Sequence, residues 1–211
     1  MKKLLTLILL VLFSTNLSAH EGTGFDVRTP VCLKSYPTDP LLFNDTVSPF
    51  VTQIIERHGL EEWKATLLTN EMHRHLGLWS IIGAKMGVRA RQLLEAPFDH
   101  LEVVSFAGNT PPFSCLNDGI QISTGASLGR GTISNTHLSK PEVIFFSHGK
   151  ELRLRPKPEV ITAVKQAIIK LSKEYGFQSD KYFKELEKVS VKYWLEWDRA
   201  EIFEETIEHS N

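Results

Sequence analysis

Between residues 77 and 94, small residues cluster at Gly77, Gly83, Ala84, Gly87 and Ala90, with spacings of three or four from Gly83 or Ala84 to Gly87 and from Gly87 to Ala90. They interrupt a segment whose apolar residues, Ile81, Ile82, Met86, Val88 and Leu93, keep a helical period. A glycine inside a helix costs about 1 kcal/mol relative to alanine. A helix carrying several therefore implies a second element lying close against its backbone. The alternative is a kinked or poorly formed helix.

The other periodic segments surround this one. Ser48-Pro49 offers a helix start, Phe50, Ile54 and Ile55 an apolar face, and His58-Gly59 a stop. Residues 60–70 carry Trp63, Leu67 and Leu68 at helical spacing. Leu101 to Ala107 is rich in β-branched residues and predicts a strand; 115–124 predicts a short helix. Strands are expected at 143–147 and 151–155, joined by a hairpin turn at His148-Gly149-Lys150. Beyond Pro156, Val160, Val164, Ile168 and Leu171 predict one helix, closed by Gly176. Asp180 is expected to cap a last helix with Phe183, Leu186, Tyr193, Trp194 and Trp197 on one face. That aromatic face predicts docking on the core or on a second subunit.

At the N-terminus, Lys2 and Lys3 precede the apolar run Leu4 to Phe13, and Leu17-Ser18-Ala19 provides small residues before His20. This is the layout of a secretory signal over residues 1–19 rather than of a transmembrane helix, which needs about 20 apolar residues. The alternative is a short buried helix. The expected organisation is a signal at 1–19, an irregular Gly- and Pro-rich arm at 20–47, a core at 48–156 and a helical extension at 157–211. The expected location is secreted or periplasmic, with no stable membrane insertion after cleavage. Lys and Arg number 24 against 25 Asp and Glu, intermixed and without a basic stripe. Nucleic acid is therefore not an expected partner, because phosphate binding draws on clustered positive charge.

Two segments carry the chemistry. Glu71-Met-His-Arg-His-Leu-Gly77 holds two imidazoles, His73 and His75. Ser114 to Thr132 holds Cys115, Asp118, Gln121, Thr124 and the glycine-rich stretch from Gly125 to Gly131. Imidazole and thiolate together suit zinc, iron or copper. Three protein ligands, His73, His75 and Cys115, leave a fourth position for water or substrate. Positions two apart on a helix diverge, so both histidines serve one ion only at a helix end or in a turn, which Gly77 permits. Asp118 and Gln121 fall on the same helical face as Cys115. Asp118 can act as base or orient a histidine, and Gln121 can hold a polar ligand. Thr124 and Gly125 open the Gly125–Gly131 loop, whose backbone N–H groups can bind an anionic ligand, the alternative being tight-turn use of the glycines. Two alternatives stay open: Cys115 as a metal-free nucleophile with a histidine base, and a Cys32–Cys115 disulfide in a noncatalytic binding module.

Two stretches carry a family resemblance. His73-Arg-His75-Leu-Gly77 with Ile82-Gly-Ala-Lys-Met-Gly87 resembles the H-G-H-L-[CG]…G-x-[KR]-x-G opening of the FmdE family, named for a component of formylmethanofuran dehydrogenase. Ser114-Cys-Leu-Asn-Asp-Gly-Ile-Gln-Ile-Ser-Thr-Gly-Ala-Ser-Leu-Gly-Arg-Gly131 is similar to that family's S-C-x-x-D-G-[IV]-Q-x-x-T-G-x-[ST]-x-G-[KR]-G signature. The likeness covers about residues 65–155. It implies an α+β core, a small mixed sheet packed with helices, followed here by a C-terminal helical hairpin. It also implies a homodimer and a site at His73, His75, Cys115 and Asp118, with Gln121 and Thr124 nearby. Arg74 replaces the small residue between the histidines, and Gly77-Leu78 stands where some members have Cys-Pro. The four-cysteine zinc ribbon of some members is absent, because no cysteine follows Cys115. The expectation is an exported metal-binding protein, zinc first among the metals, that binds or processes a small polar or metal-containing ligand.

Overall fold

The computed structural model describes residues 30–209. The expected signal at 1–19 and the start of the expected arm lie outside the described residues. Among the described residues, no helix is long and apolar enough to cross a membrane.

The fold is α+β. In chain order the elements are α1 (Val51–His73), α2 (Leu78–Leu93), β1 (Glu102–Ser105), α3 (Leu116–Thr124), β2 (Ile133–Asn135), β3 (Val143–Ser147), β4 (Lys150–Pro156), α4 (Pro158–Tyr175), α5 (Asp180–Glu196) and β5 (Phe203–His209). The strands form one mixed sheet in the order β2-β1-β3-β4-β5. Only β1 and β2 run parallel, with α3 as their connection; the other pairs are antiparallel.

Gly59 does not end the first helix. It sits at φ 82° and ψ 165°, a kink after which the chain returns directly to helix. Ser48–Phe50 forms a single 3-10 turn ahead of α1, with no side-chain cap. The hairpin between β3 and β4 matches its prediction: His148 and Gly149 both take positive φ, 50° and 70°, as a two-residue turn matching strand twist requires. The cap of α5 is Ser179, whose Oγ accepts from Tyr182 N, rather than Asp180.

The predicted close approach along 77–90 is present, and its partner is α3. A Cβ placed on Gly83 would lie 2.2 Å from the Leu116 carbonyl oxygen. One on Gly119 would lie 2.3 Å from both Ala84 N and Ser80 O, and one on Gly87 would lie 1.9 Å from Ser123 Oγ. The two helices therefore meet backbone to backbone. Leu78, Ile82 and Met86 of α2, with Leu116 and Ile120 of α3, then pack into the main core against Val103, Phe145, Leu152 and Leu154 of the sheet. On β4, Leu152, Leu154 and Pro156 are buried, in alternation with Glu151, Arg153 and Arg155, the period of a strand with one face on the core.

The C-terminal segment is more than a helical hairpin. After α5 the chain enters β5, which pairs with the whole of β4. The aromatic face of α5 is used within the chain: Trp194 stacks on Trp63 of α1, centroids 5.0 Å apart and planes 13° from parallel.

A buried charge cluster ties the same elements together. Glu62 and Lys85 are fully buried and paired, and Arg199 Nη1 reaches Glu62 Oε2 at 2.9 Å. Burial pushes the Lys85 ammonium below its ordinary value, against the opposing pull of Glu62. Arg199 also donates to the His58 carbonyl at 2.9 Å and to Gln92 Oε1 at 3.0 Å, fastening the loop that leads into β5.

The helix contact is testable by substitution. Gly119→Ala should destabilise by about 1–3 kcal/mol or more in urea unfolding, because the new methyl meets backbone on both sides. Gly129→Ala, with open space around its Cβ position, should stay within about 0.5 kcal/mol of the parent. In the charge cluster, Glu62→Gln should cost about 3–5 kcal/mol, since it leaves a buried cation without its counter-charge.

Candidate functional site

The α2–α3 contact sets the start of α3 beside the end of α1. Helix α1 closes at Arg74, which takes left-handed φ 69° while its N–H bonds Asn70 O. Asn70 then holds the following turn: its Oδ1 accepts from Gly77 N at 3.2 Å and from Ser80 Oγ at 2.9 Å. The turn has little room to spare, since a Cβ on Gly77 would lie 3.0 Å from His73 Nε2. His73 is thus the last helical residue and His75 lies beyond the turn.

His73 faces α3. Its Nδ1 lies 2.7 Å from Asp118 Oδ2, with the imidazole side chain 11% exposed and the carboxylate 32%. The Asp118 hydrogen bond first, and then one with Cys115, hold the imidazole pKa up at about 9 against the opposing effect of burial. Cys115, Asp118 and His73 share a pocket of about 370 Å³. It opens at the carboxyl ends of the parallel pair β1 and β2, against the first turn of α3.

His75 takes a different position. Its ring lies over that of His73, centroids 4.4 Å apart, and edge-on to Phe183 of α5 at 5.1 Å. It is not among the residues lining the pocket. Burial, then the neighbouring charge of His73, pushes its pKa below the ordinary imidazole value. Both cysteines are free: Cys32 is exposed and Cys115 is half-buried in the pocket wall. The Cys32–Cys115 disulfide is therefore not formed.

The remaining predicted residues separate. Gln121 lines the pocket, donating to Asn117 O at 3.3 Å and accepting from Leu128 N at 3.4 Å. Thr124 is fully buried and closes α3, donating to Ile120 O at 2.6 Å and accepting from Ala126 N at 3.1 Å. Gly125 is the left-handed cap of that helix, pressed on Phe98. Neither lines the pocket. In their place the wall carries Ser114, which opens the Cys115 signature, and Asn109, Asn117 and Asn135, to which the linear sequence assigns no role. Asparagine two residues into a helix, or at the end of a three-residue strand, looks like ordinary turn chemistry. Only the folded chain brings the three amides together.

The fit to a transition metal is incomplete. A thiol and an imidazole whose second ring nitrogen is held by a carboxylate are suitable donors. The third expected donor, His75, is turned to Phe183. Among the described residues, no three His, Cys, Asp or Glu side chains are grouped to hold an ion.

No curated protein matches this chain. Three chains of solved structures do. One is a tungsten formylmethanofuran dehydrogenase FmdE-like protein from Syntrophus aciditrophicus. It is 17% identical over 67% of this chain and 68% of that one, with a TM-score of 0.43. A family model described as "FmdE, Molybdenum formylmethanofuran dehydrogenase operon" matches residues 72–204, more than half of the chain. That span takes in the histidine turn and the Cys115 segment and reaches into β5, and the chain belongs to the FmdE family.

Proposed function

We propose that this chain binds and processes a small polar molecule in the pocket of His73, Cys115 and Asp118, with the Cys115 sulfur as the reacting group. The observation that carries this is the pair of His73 and Asp118, 2.7 Å apart, on the same pocket wall as Cys115. A thiol needs a base that takes its proton, and the base needs a third group that holds its orientation. His73, which holds a proton up to about pH 9, gives it to an oxygen or leaving group of the bound molecule and takes the sulfur's proton in its place. Asp118 holds the ring and stabilises its charged form. In line with the layout of residues 1–19, we place this activity in an exported, periplasmic protein.

A metal centre is the second reading. It is favoured by the contact of the His73 and His75 rings, with centroids 4.4 Å apart, which sets a second imidazole next to the one in the pocket. His73, His75 and Cys115 would then hold a transition metal such as zinc, which would polarise a bound oxygen atom.

Alkylation of the full chain by iodoacetamide, with elemental analysis alongside, separates the two. Cys115 should react faster than the exposed Cys32, and His73→Ala should slow it about tenfold or more. A Cys115 no faster than Cys32, with stoichiometric metal that Cys115→Ser and His75→Ala both lose, would establish the metal reading instead.

The proton on His73 gives a separate pH signature. Its folded pKa of about 9 lies above the ordinary 6.5. The resulting stabilisation is fully present below about pH 6.5 and is lost as pH rises through about 9. Asp118→Asn should therefore be about 1–3 kcal/mol less stable than the parent near pH 6, a gap that closes by about pH 10. NMR titration of the His73 ring should give a midpoint near 9 in the parent, falling toward the ordinary imidazole value in Asp118→Asn.

A further inference from the structure

The amides of the pocket wall have determined orientations, set by backbone groups and a hydroxyl. Gly108 N donates at 3.1 Å to Asn135 Oδ1, so the Asn135 NH2 must face the other way. It gives its hydrogens to Gly108 O at 2.7 Å and to Asn109 Oδ1 at 2.5 Å. Asn109 thus presents its oxygen to Asn135, and both hydrogens of its own NH2 are left for other partners. The same logic applies to Asn117. Ser105 Oγ accepts from Ala107 N at 3.2 Å and donates to Asn117 Oδ1 at 2.6 Å. The Asn117 NH2 gives one hydrogen to Gly108 O at 3.0 Å and keeps one.

The result is a wall with three side-chain N–H hydrogens left unused, two on Asn109 and one on Asn117, fixed in place before any ligand arrives. Its charges balance: the lining contains one carboxylate, Asp118, already paired with the one imidazole, and no lysine or arginine among the described residues. A phosphate or other multiply charged anion would find no counter-charge there. A neutral oxygen acceptor finds several donors and keeps its place without one. Pro111, Leu128 and Ile133 add apolar surface to the same wall.

We infer that the ligand of this pocket is a small uncharged carbonyl compound, an amide, ester or aldehyde, whose oxygen is held by the side-chain NH2 groups of Asn109 and Asn117. The inference rests on the reading of Cys115 as the reacting group and specifies what reacts with it. For an aldehyde the step needs no co-reactant. The sulfur electron pair forms a C–S bond, the carbonyl π pair moves to oxygen, the proton held at His73 passes to that oxygen, and the proton leaving sulfur replaces it on His73, to give a hemithioacetal. On this inference the free hydrogens of Asn109 and Asn117, in the same pocket lining as Cys115, stabilise the oxygen as its charge develops.

The test is NMR titration of the full chain with four probes on one carbon skeleton: propionamide, methyl propionate, propionate and propyl phosphate. The two neutral carbonyl compounds should bind at least about five times more tightly than the two anions. Asn109→Ala should weaken them about three- to tenfold, the loss expected for one hydrogen bond, and Asn109→Asp should weaken them further. Asn109 is exposed, so these variants stay informative even if Asn117→Ala, which breaks the Ser105 and Gly108 bonds, fails to fold. Tighter binding of propionate or propyl phosphate, or equal binding by Asn109→Ala, overturns the inference. If Cys115 is then still the faster-alkylating thiol, only the ligand class is wrong. If Cys115 is no faster than Cys32, the reading beneath it fails as well.

Discussion

The near-contact of the α2 and α3 backbones is the constraint on which the rest of this molecule depends. Gly83, Gly87 and Gly119 let two helices approach to a distance at which a methyl group on either would meet atoms of the other. Because α1 leads into α2 through the short turn at Arg74 to Gly77, this contact also sets the distance between the end of α1 and the start of α3. The imidazole of His73 and the carboxylate of Asp118, 45 residues apart, meet at 2.7 Å as a consequence. The helix propensity lost at each glycine is offset by the burial that the approach permits.

The rest of the fold holds that pair of helices in place. Trp63 and Trp194 stack where α1 meets α5. The Glu62, Lys85 and Arg199 cluster joins α1, α2 and the approach to β5 in one buried ionic network. A buried ionic network of this kind adds little net stability against an apolar equivalent. What it supplies here is register: Glu62 is the shared partner of Lys85 and Arg199, and removing it leaves both cations without that counter-charge. The sheet faces the same helices through Phe145, Leu152 and Leu154, while its parallel pair, β1 and β2, opens the pocket at its carboxyl ends.

Much of this was legible in the chain. The helical periods over 60–70, 78–94 and 160–171, the strands at 143–147 and 151–155 and the turn between them are local patterns, and each appears where its pattern predicts. Two strands were not legible. Ile133–Asn135 is too short to alternate and exists through its pairing with β1. Phe203–His209 is rich in glutamate, a poor strand former. It is held by partners that no local window contains: Arg155 of the neighbouring strand on Glu204, and Arg89 of α2 on Glu205 at 2.7 Å. Gly59 carried a true signal of broken helix, but whether a helix stops or kinks depends on what lies beyond, and Trp63 is fully buried there.

From the linear chain alone came the donor types, the turn that separates the two histidines, the need for a close helix partner and the family. The tertiary structure decided which donors meet. It set His73 rather than His75 against Asp118, left the sulfurs of Cys32 and Cys115 unbonded, moved Thr124 and Gly125 out of the pocket and gathered three asparagines into its wall. The physical reason is that side-chain type and period are properties of neighbours in the chain. A pocket is made by the crossing of helices and the pairing of strands far apart in it, and a rotation of either by one residue would present a different set of groups.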